Sequence, residues 1–174
     1  MKFLIVDAFS EKLFGGNPAG IVILPKGSDF PSDELMVKTA AELRYSETAF
    51  ISIMNNNEFR IRYFTPAAEV DLCGHATVGA FCALAHLGII KKGDTCINHT
   101  LAGDLEVEVG SGYVMMDMAE PRELLTISDE NSLKELYDVL GTKYEKTTKL
   151  LPEMISTGLP DIMVPVSSKE ALNA

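Results

Sequence analysis

The first 120 residues consist mostly of short apolar segments separated by polar, glycine or proline residues, which is a pattern typical of strands. The segment from about His75 to Leu87 differs, because apolar residues surround it on all sides at helical spacing. A helix without a polar face is normally buried in the middle of a fold. We therefore predict an α+β fold in which a curled, barrel-like mixed sheet wraps around this central helix. The predicted strands are Lys2–Phe9, Ile21–Leu24, Thr48–Ile53, Phe59–Phe64, Thr95–Leu101, Leu105–Val109 and Tyr113–Met118.

The connections between these strands carry their own signals. Three glycines and a proline predict a loop over Phe14–Gly20. Ser32 is predicted to cap a helix that runs to about Leu43, because apolar residues recur there at helical spacing. The triplet Asn55–Asn57 predicts a hairpin turn between two strands.

The pattern changes at Pro121. An amphipathic helix is predicted from about Asp129 to Leu140, and Ser132 and Glu135 within it have the spacing of a capping box. Further strands and the start of a helix at Ser167 follow, and the strands are predicted at Lys149–Leu151, Glu153–Thr157 and Asp161–Val166. This region is too short to bury a core of its own. We therefore predict a first lobe over residues 1–120, and a linker helix with the incomplete start of a second lobe over residues 121–174.

Composition narrows the classes of partner. The chain is 47% hydrophobic, which suffices for a core, and its formal net charge is -10. An acidic surface repels a phosphate backbone, so we expect no nucleic-acid partner. No segment approaches the roughly 18 apolar residues of a membrane-spanning helix, so we expect no membrane association. Three cysteines without a CxxC pair fit a reducing, cytoplasmic location.

Glu47 is the first candidate for chemistry, because it lies among apolar residues and between two hydroxyls, Ser46 and Thr48. Partial burial would raise the pKa of this carboxyl towards neutrality, where a general acid/base works best. Ser46 would orient the carboxylate or contact a substrate. The alternative is a glutamate that faces solvent at the end of a strand.

The stretch from Asp71 to Thr77 is the second candidate. Backbone N–H groups at the start of a helix have no partner within the helix, and the helix dipole favours negative charge there. A carboxylate-bearing substrate would therefore bind at Gly74, His75 and Ala76. His75 and Asp71 would assist catalysis by hydrogen bonding. The alternative is that His75 only caps the helix.

Thiol and metal chemistry are less favoured. Cys73 near a helix start would be a proton-transfer base if its pKa were lowered, yet free cysteine is more often simply buried. His75, Cys82 and His86 share one helix face, but positions 11 apart on a helix are separated by roughly 16 Å and cannot share one ion. We therefore expect no metal.

The Gly15-Gly16 pair lacks nucleotide-binding patterns, so we expect no cofactor either.

Asn17 adds an amide in a glycine-rich setting, either at the rim of a substrate pocket or as part of an ordinary turn. Together with the candidates above, it completes a series of motifs that occur in one order along the chain. These are Val6-Asp7-Ala8-Phe9, Gly16-Asn17-Pro18-Ala19-Gly20, Ala41-Glu42-Leu43, Ser46-Glu47-Thr48-Ala49-Phe50, Arg62-Tyr63-Phe64-Thr65-Pro66 and Glu69-Val70-Asp71-Leu72-Cys73-Gly74-His75-Ala76-Thr77. In this order they resemble the phenazine-biosynthesis PhzF-like family, which has the diaminopimelate epimerase-like fold.

The resemblance implies two similar lobes, each a curled sheet around a central helix, with the active site in the cleft between them. It also implies a cofactor-independent isomerase in which Glu47 matches the general acid/base, and Gly74 and His75 match positions that line the substrate pocket. The family's type enzyme isomerises a dihydro-hydroxyanthranilate. The first hypothesis is therefore an isomerase that transfers a proton on a small carboxylate-bearing substrate.

The length of the chain supports a second hypothesis. Members of the family have a second lobe that supplies another acidic residue and a glycine-rich motif to the cleft. A catalytically incomplete single lobe would instead bind a small acid or associate with another chain, as a homodimer or with a second-lobe chain. A racemase that uses Cys73 ranks last, because it needs a second thiol from the opposite lobe.

Overall fold

The computed structural model describes residues 1–144 and 149–172, and these residues form two units, Met1–Asp117 and Met118–Ala174. The first unit contains eight strands and two helices. The strands are β1 (Lys2–Ala8), β2 (Asn17–Ile23), β3 (Thr48–Ile53), β4 (Glu58–Phe64), β5 (Glu69–Val70), β6 (Thr95–Thr100), β7 (Gly103–Val109) and β8 (Val114–Met116). The helices are α1 (Asp33–Leu43) and α2 (Gly74–His86).

The eight strands form one mixed sheet in the order β1-β2-β3-β4-β6-β7-β8, and β5 pairs with β4. The β2–β3 and β4–β6 pairs are parallel, and the other pairs are antiparallel. Helix α2 contacts β1, β2 and β3 from one end of this order and β7 and β8 from the other end. A sheet whose two ends both reach one helix must curl around it. The predicted α+β fold with a central apolar helix is therefore confirmed.

Helix α2 carries small residues at the points where strands come closest. Ala76 and Ala80 are completely buried, and so are the larger Phe81 and Leu84. A Cβ atom placed on Gly79 would lie 3.4 Å from the Cβ of Val6 on β1, so the helix and the strand are already in contact there. Close packing of this kind explains why a helix with no polar face forms the centre of the unit.

The opposite face of the sheet carries α1. Ser32 caps this helix as predicted, because its side chain accepts a hydrogen bond from the Leu35 backbone N–H at 3.3 Å. Met36 packs against Phe50 and Phe64, which belong to a second apolar cluster. The helix ends at Arg44, whose φ of 60° turns the chain towards β3 and so sets the position of the residues just before that strand.

The loop predicted over Phe14–Gly20 is wrong in its second half, because β2 begins at Asn17. Pro18 lies opposite Asp7 of β1, and the pairing of β2 with β3 begins only at Gly20. The missing N–H of the proline therefore disturbs only the start of the strand, where proline is tolerated. Gly16 is required by a close approach, since a Cβ there would lie 2.2 Å from the Ala8 carbonyl oxygen.

The second unit has a small antiparallel sheet in the order β11-β10-β9, formed by β9 (Arg122–Thr126), β10 (Glu153–Ser156) and β11 (Pro160–Met163). Its helices are α3 (Glu130–Val139) and α4 (Lys169–Leu172). Leu133 and Tyr137 of α3 are buried, and the Tyr137 hydroxyl donates to the Pro165 carbonyl at 2.5 Å.

Two sequence predictions for this unit are wrong, and one strand was missed. The cap of α3 is Asp129, whose carboxylate accepts from the Ser132 N–H at 2.9 Å, so the capping box starting at Ser132 is wrong. Residues 149–151 do not form the predicted strand, and β9 was not predicted. The division into lobes at residue 120 stays a prediction.

Among the described helices, none is both long and apolar enough to cross a bilayer.

Candidate functional site

Glu47, Cys73 and His75 meet where β3 begins and α2 begins. His75 Nε2 lies 3.4 Å from Glu47 Oε2, and Cys73 Sγ lies 3.3 Å from His75 Nδ1. Both partners of the first pair are largely buried, with 11% of the His75 side chain and 21% of the Glu47 side chain exposed. The cluster therefore places a carboxylate, an imidazole and a thiol side by side at a partly open helix start.

Glu47 is held through its backbone. The Gly20 N–H of β2 donates to the Glu47 carbonyl at 3.2 Å, one residue before the parallel pairing of β2 with β3 begins. A Cβ on Gly20 would lie 2.9 Å from Thr48 Oγ1, so this position has little room for a side chain. The backbone of Glu47 is thus fixed at the end of the parallel β2–β3 pair, and this limits where its carboxylate can lie.

The start of α2 is held by a buried chain of hydrogen bonds. Thr77 Oγ1 donates to the Cys73 carbonyl at 2.7 Å, which uses the only hydroxyl hydrogen of Thr77. Tyr63 must therefore donate in its 2.6 Å contact with Thr77 Oγ1, and Tyr63 accepts from Asn98 Nδ2 at 2.9 Å. The chain runs in one direction, from Asn98 on β6 through Tyr63 on β4 to the carbonyl of the residue that caps α2.

No role in the site is predicted from the sequence for the three side chains of this buried chain, although Thr77 ends the candidate stretch that begins at Asp71. Tyr63, Thr77 and Asn98 are all 0% exposed, and burial raises the pKa of Tyr63 to about 12. The one available signal is Asn98, an amide in the middle of a strand, because such a group must find partners when it is buried. Nothing local in the sequence indicates that the partner of Asn98 is Tyr63, which lies 35 residues away along the chain.

Cys73 is a protonated thiol at neutral pH. Burial raises the pKa of Cys73 to about 12, and the negative charge of Glu47 adds to the rise. A thiol of this kind is a poor base, because a cysteine base needs a pKa lowered towards neutrality. The finding favours the structural interpretation of Cys73 over the racemase hypothesis.

The other predicted site residues lie at different distances from this cluster. Ser46 Oγ is 3.4 Å from His75 Nε2. Gly74 is the first residue of α2 and is not crowded, since the nearest atom to a Cβ placed there is Met116 Cε at 4.0 Å. Asn17 and Asp71 are exposed, and Asp71 forms no hydrogen bond or ion pair within residues 1–144 and 149–172. Their predicted roles stay predictions.

Comparison with known proteins identifies the class. The family model described as "Phenazine biosynthesis-like protein" (PhzC-PhzF) matches residues 6–174. The chain is 36% identical over 175 residues to the "Uncharacterized isomerase YfhB" of Bacillus subtilis, an alignment that covers 98% of this chain and 58% of that protein. It is also 46% identical over 105 residues to the "Uncharacterized isomerase YddE" of Salmonella typhimurium, covering 60% of this chain and 34% of that protein. The chain therefore belongs to the PhzC-PhzF family.

Solved structures agree with this assignment. A phenazine biosynthesis protein of the PhzF family from Bacillus anthracis is similar with a TM-score of 0.81 at 30% identity, covering 99% of this chain and 58% of that one. A predicted epimerase from Pseudomonas aeruginosa gives a TM-score of 0.84 at 26% identity, covering 98% and 61%. The chain thus spans somewhat more than half the length of these two proteins and of the Bacillus subtilis relative. The names of these three proteins include a predicted epimerase and an uncharacterized isomerase.

Proposed function

We propose that this chain carries the acid/base site of a cofactor-independent isomerase and that Glu47 moves the proton. The observation that supports this most is the 3.4 Å contact between Glu47 Oε2 and His75 Nε2 at the first turn of α2. Membership of a family whose named relatives are isomerases fits the same reaction class. The proposal concerns the residues of this chain, which spans 58% of its Bacillus subtilis relative.

The proposed substrate is a small carboxylic acid with an acidic C–H bond. Its carboxylate would accept hydrogen bonds from the N–H groups of Gly74, His75 and Ala76, at the positive end of the α2 dipole. Gly74 has no side chain, and the nearest atom to a Cβ placed there is Met116 Cε at 4.0 Å, so this group could approach the backbone. Ser46 would help to orient His75, with which it is in contact at 3.4 Å.

The proposed reaction needs one group that both takes and returns a proton. The Glu47 carboxylate would remove a proton from carbon and become a carboxylic acid. Its acid proton would exchange with solvent, and Glu47 would then deliver a proton to another carbon of the same substrate. His75 would stabilise the charged form of Glu47 and the negative charge on the substrate by hydrogen bonding. No electrons leave the substrate, so the reaction is an isomerisation that needs no redox cofactor.

The test is exchange of carbon-bound hydrogen in D2O, followed by NMR on a panel of small carboxylic acids that includes a dihydro-hydroxyanthranilate. We expect loss of one C–H signal with the native chain and a rate lowered about 10²- to 10⁴-fold by Glu47→Gln. Glu42→Gln, an exposed change on α1, is the matched control and should leave the rate unchanged. Equal rates for Glu47→Gln and the native chain would remove Glu47 from the mechanism.

A single lobe that only binds small acids is the second candidate, and the helix start supports it. The backbone N–H groups of His75 and Ala76 face the Cys73 thiol and lower its pKa against the larger rise caused by burial, but within the described residues the thiol forms no cap hydrogen bond, so an anion could replace it at the first turn of α2. This candidate predicts that a member of the panel stabilises the chain against thermal unfolding while no C–H signal is lost in D2O. Stabilisation together with exchange would support the isomerase instead.

A further inference from the structure

The cluster at the start of α2 combines three kinds of metal ligand. Glu47 offers a carboxylate oxygen, Cys73 a sulfur and His75 a ring nitrogen, and one atom from each lies within 4.8 Å of the other two. We propose that these three side chains form a zinc-binding site. This set differs from the set His75, Cys82 and His86 considered from the sequence.

The distances suit a tetrahedral zinc ion. With Zn–S near 2.3 Å and Zn–N and Zn–O near 2.0–2.2 Å, neighbouring ligand atoms of a tetrahedron are about 3.3–3.6 Å apart. Cys73 Sγ and His75 Nδ1 already lie 3.3 Å apart. No separation in the set exceeds 4.8 Å, so movements of at most about 1.5 Å bring the three atoms to tetrahedral spacing.

The second nitrogen of the imidazole also has a suitable partner. Histidines that bind metal through one nitrogen almost always donate the N–H of the other to a nearby oxygen, which fixes the ring. With Nδ1 on the ion, His75 Nε2–H points to Ser46 Oγ, which lies 3.4 Å away. The Glu47 side chain is 21% exposed, so a water molecule can reach the fourth position.

The donor set favours zinc over the common hard cations. Sulfur and imidazole suit Zn²⁺, whereas Mg²⁺ and Ca²⁺ prefer sets made of oxygen alone. Binding breaks the S–H bond of Cys73, forms a Zn–S bond and releases the proton to solvent, with no change of oxidation state. The ion would occupy the Glu47 carboxylate that the proposed isomerase uses as its base, so zinc should inhibit it. Zinc binding itself does not depend on the proposed function, whereas the inhibition does.

The test uses Co²⁺ as a spectroscopic substitute for Zn²⁺ in the reduced 174-residue chain. We expect a thiolate-to-cobalt charge-transfer band with the visible bands of tetrahedral coordination, and competition by Zn²⁺. Cys73→Ser should abolish the charge-transfer band, and Glu47→Gln should weaken Co²⁺ binding about 10-fold or more. Cys82→Ser is the matched control, because Cys82 is another partly buried free thiol on α2, and it should leave the spectrum unchanged.

Several outcomes would overturn the site. One is a charge-transfer band that survives Cys73→Ser or disappears in Cys82→Ser, and another is the absence of any band in a chain whose circular dichroism shows that it is folded. Loss of binding in His99→Gln, which removes the separate 2.7 Å contact with Asp104, would place the ion elsewhere. Co²⁺ binding that depends on Cys73, combined with D2O exchange that ignores Glu47→Gln, would keep the zinc site and reject the proposed function.

Discussion

Removing the Tyr63 hydroxyl tests the buried chain that holds the start of α2. In Tyr63→Phe, Thr77 keeps its bond to the Cys73 carbonyl, but Asn98 Nδ2 loses the Tyr63 oxygen at 2.9 Å. Asn98 Oδ1 already lacks a partner among the described residues, so the whole buried amide would be left unsatisfied. A buried polar group without a partner costs about 1–3 kcal/mol. We therefore expect the free energy of unfolding, measured by urea titration, to fall by about 1–3 kcal/mol.

Tyr113→Phe is the matched control. Tyr113 is 49% exposed and its hydroxyl donates to Glu108 at 2.8 Å, so water can replace the bond and the change should stay within about 0.5 kcal/mol. The double variant Tyr63→Phe/Asn98→Leu removes both members of the broken bond. The losses of unfolding free energy in the two single variants should therefore sum to more than the loss in the double variant. Equal losses for Tyr63→Phe and Tyr113→Phe would refute the argument.

Three further results are expected. Gly74→Ala should leave the chain as stable as the native chain or up to about 1 kcal/mol more stable. It should nevertheless weaken the binding of small carboxylates in a calorimetric titration, and unchanged binding would contradict the proposed anion site. Gly16→Ala should lower the melting temperature clearly, because its Cβ would lie 2.2 Å from the Ala8 oxygen, and an unchanged melting temperature would refute that reasoning. Burial raises the pKa of both Cys73 and Tyr63 to about 12, from ordinary values of 9.0 and 10.0. As the pH rises, the unfolded chain therefore loses these protons before the folded chain does. The free energy of unfolding, measured in urea, should be fully present below about pH 9 and should fall as the pH rises towards 12. A free energy that does not change over this range would contradict the burial of both groups.

Much of the fold was predictable because it depends on local patterns. The segment around α2 is apolar on all sides, and this alone indicates a helix surrounded by sheet. Ser32 gave the start of α1 because a capping side chain acts within one turn. The start of β2 was not predictable in the same way. It depends on which neighbours pair with Asn17 and Pro18, and glycine and proline nearby favour a loop when the partner strand is unknown.

The candidate site was predictable in part. Glu47 and His75 stand out as polar residues in apolar settings, and the structure brings them into contact. The partners of His75 depend on tertiary contacts, since Ser46 lies 29 residues from it along the chain. The buried chain from Asn98 to Thr77 joins two strands and a helix, and no spacing in the sequence indicates such a connection.

We propose that Glu47 transfers the proton and that His75 supports it by hydrogen bonding, and a double-mutant cycle of exchange rates in D2O tests this most directly. The variants are Glu47→Gln, His75→Gln and the double variant, each checked for folding by circular dichroism. Residues that act as a unit show strongly non-additive losses. We predict that the double variant loses about as much activity as the worse single variant. Losses that multiply, as for two independent groups, would contradict the claim.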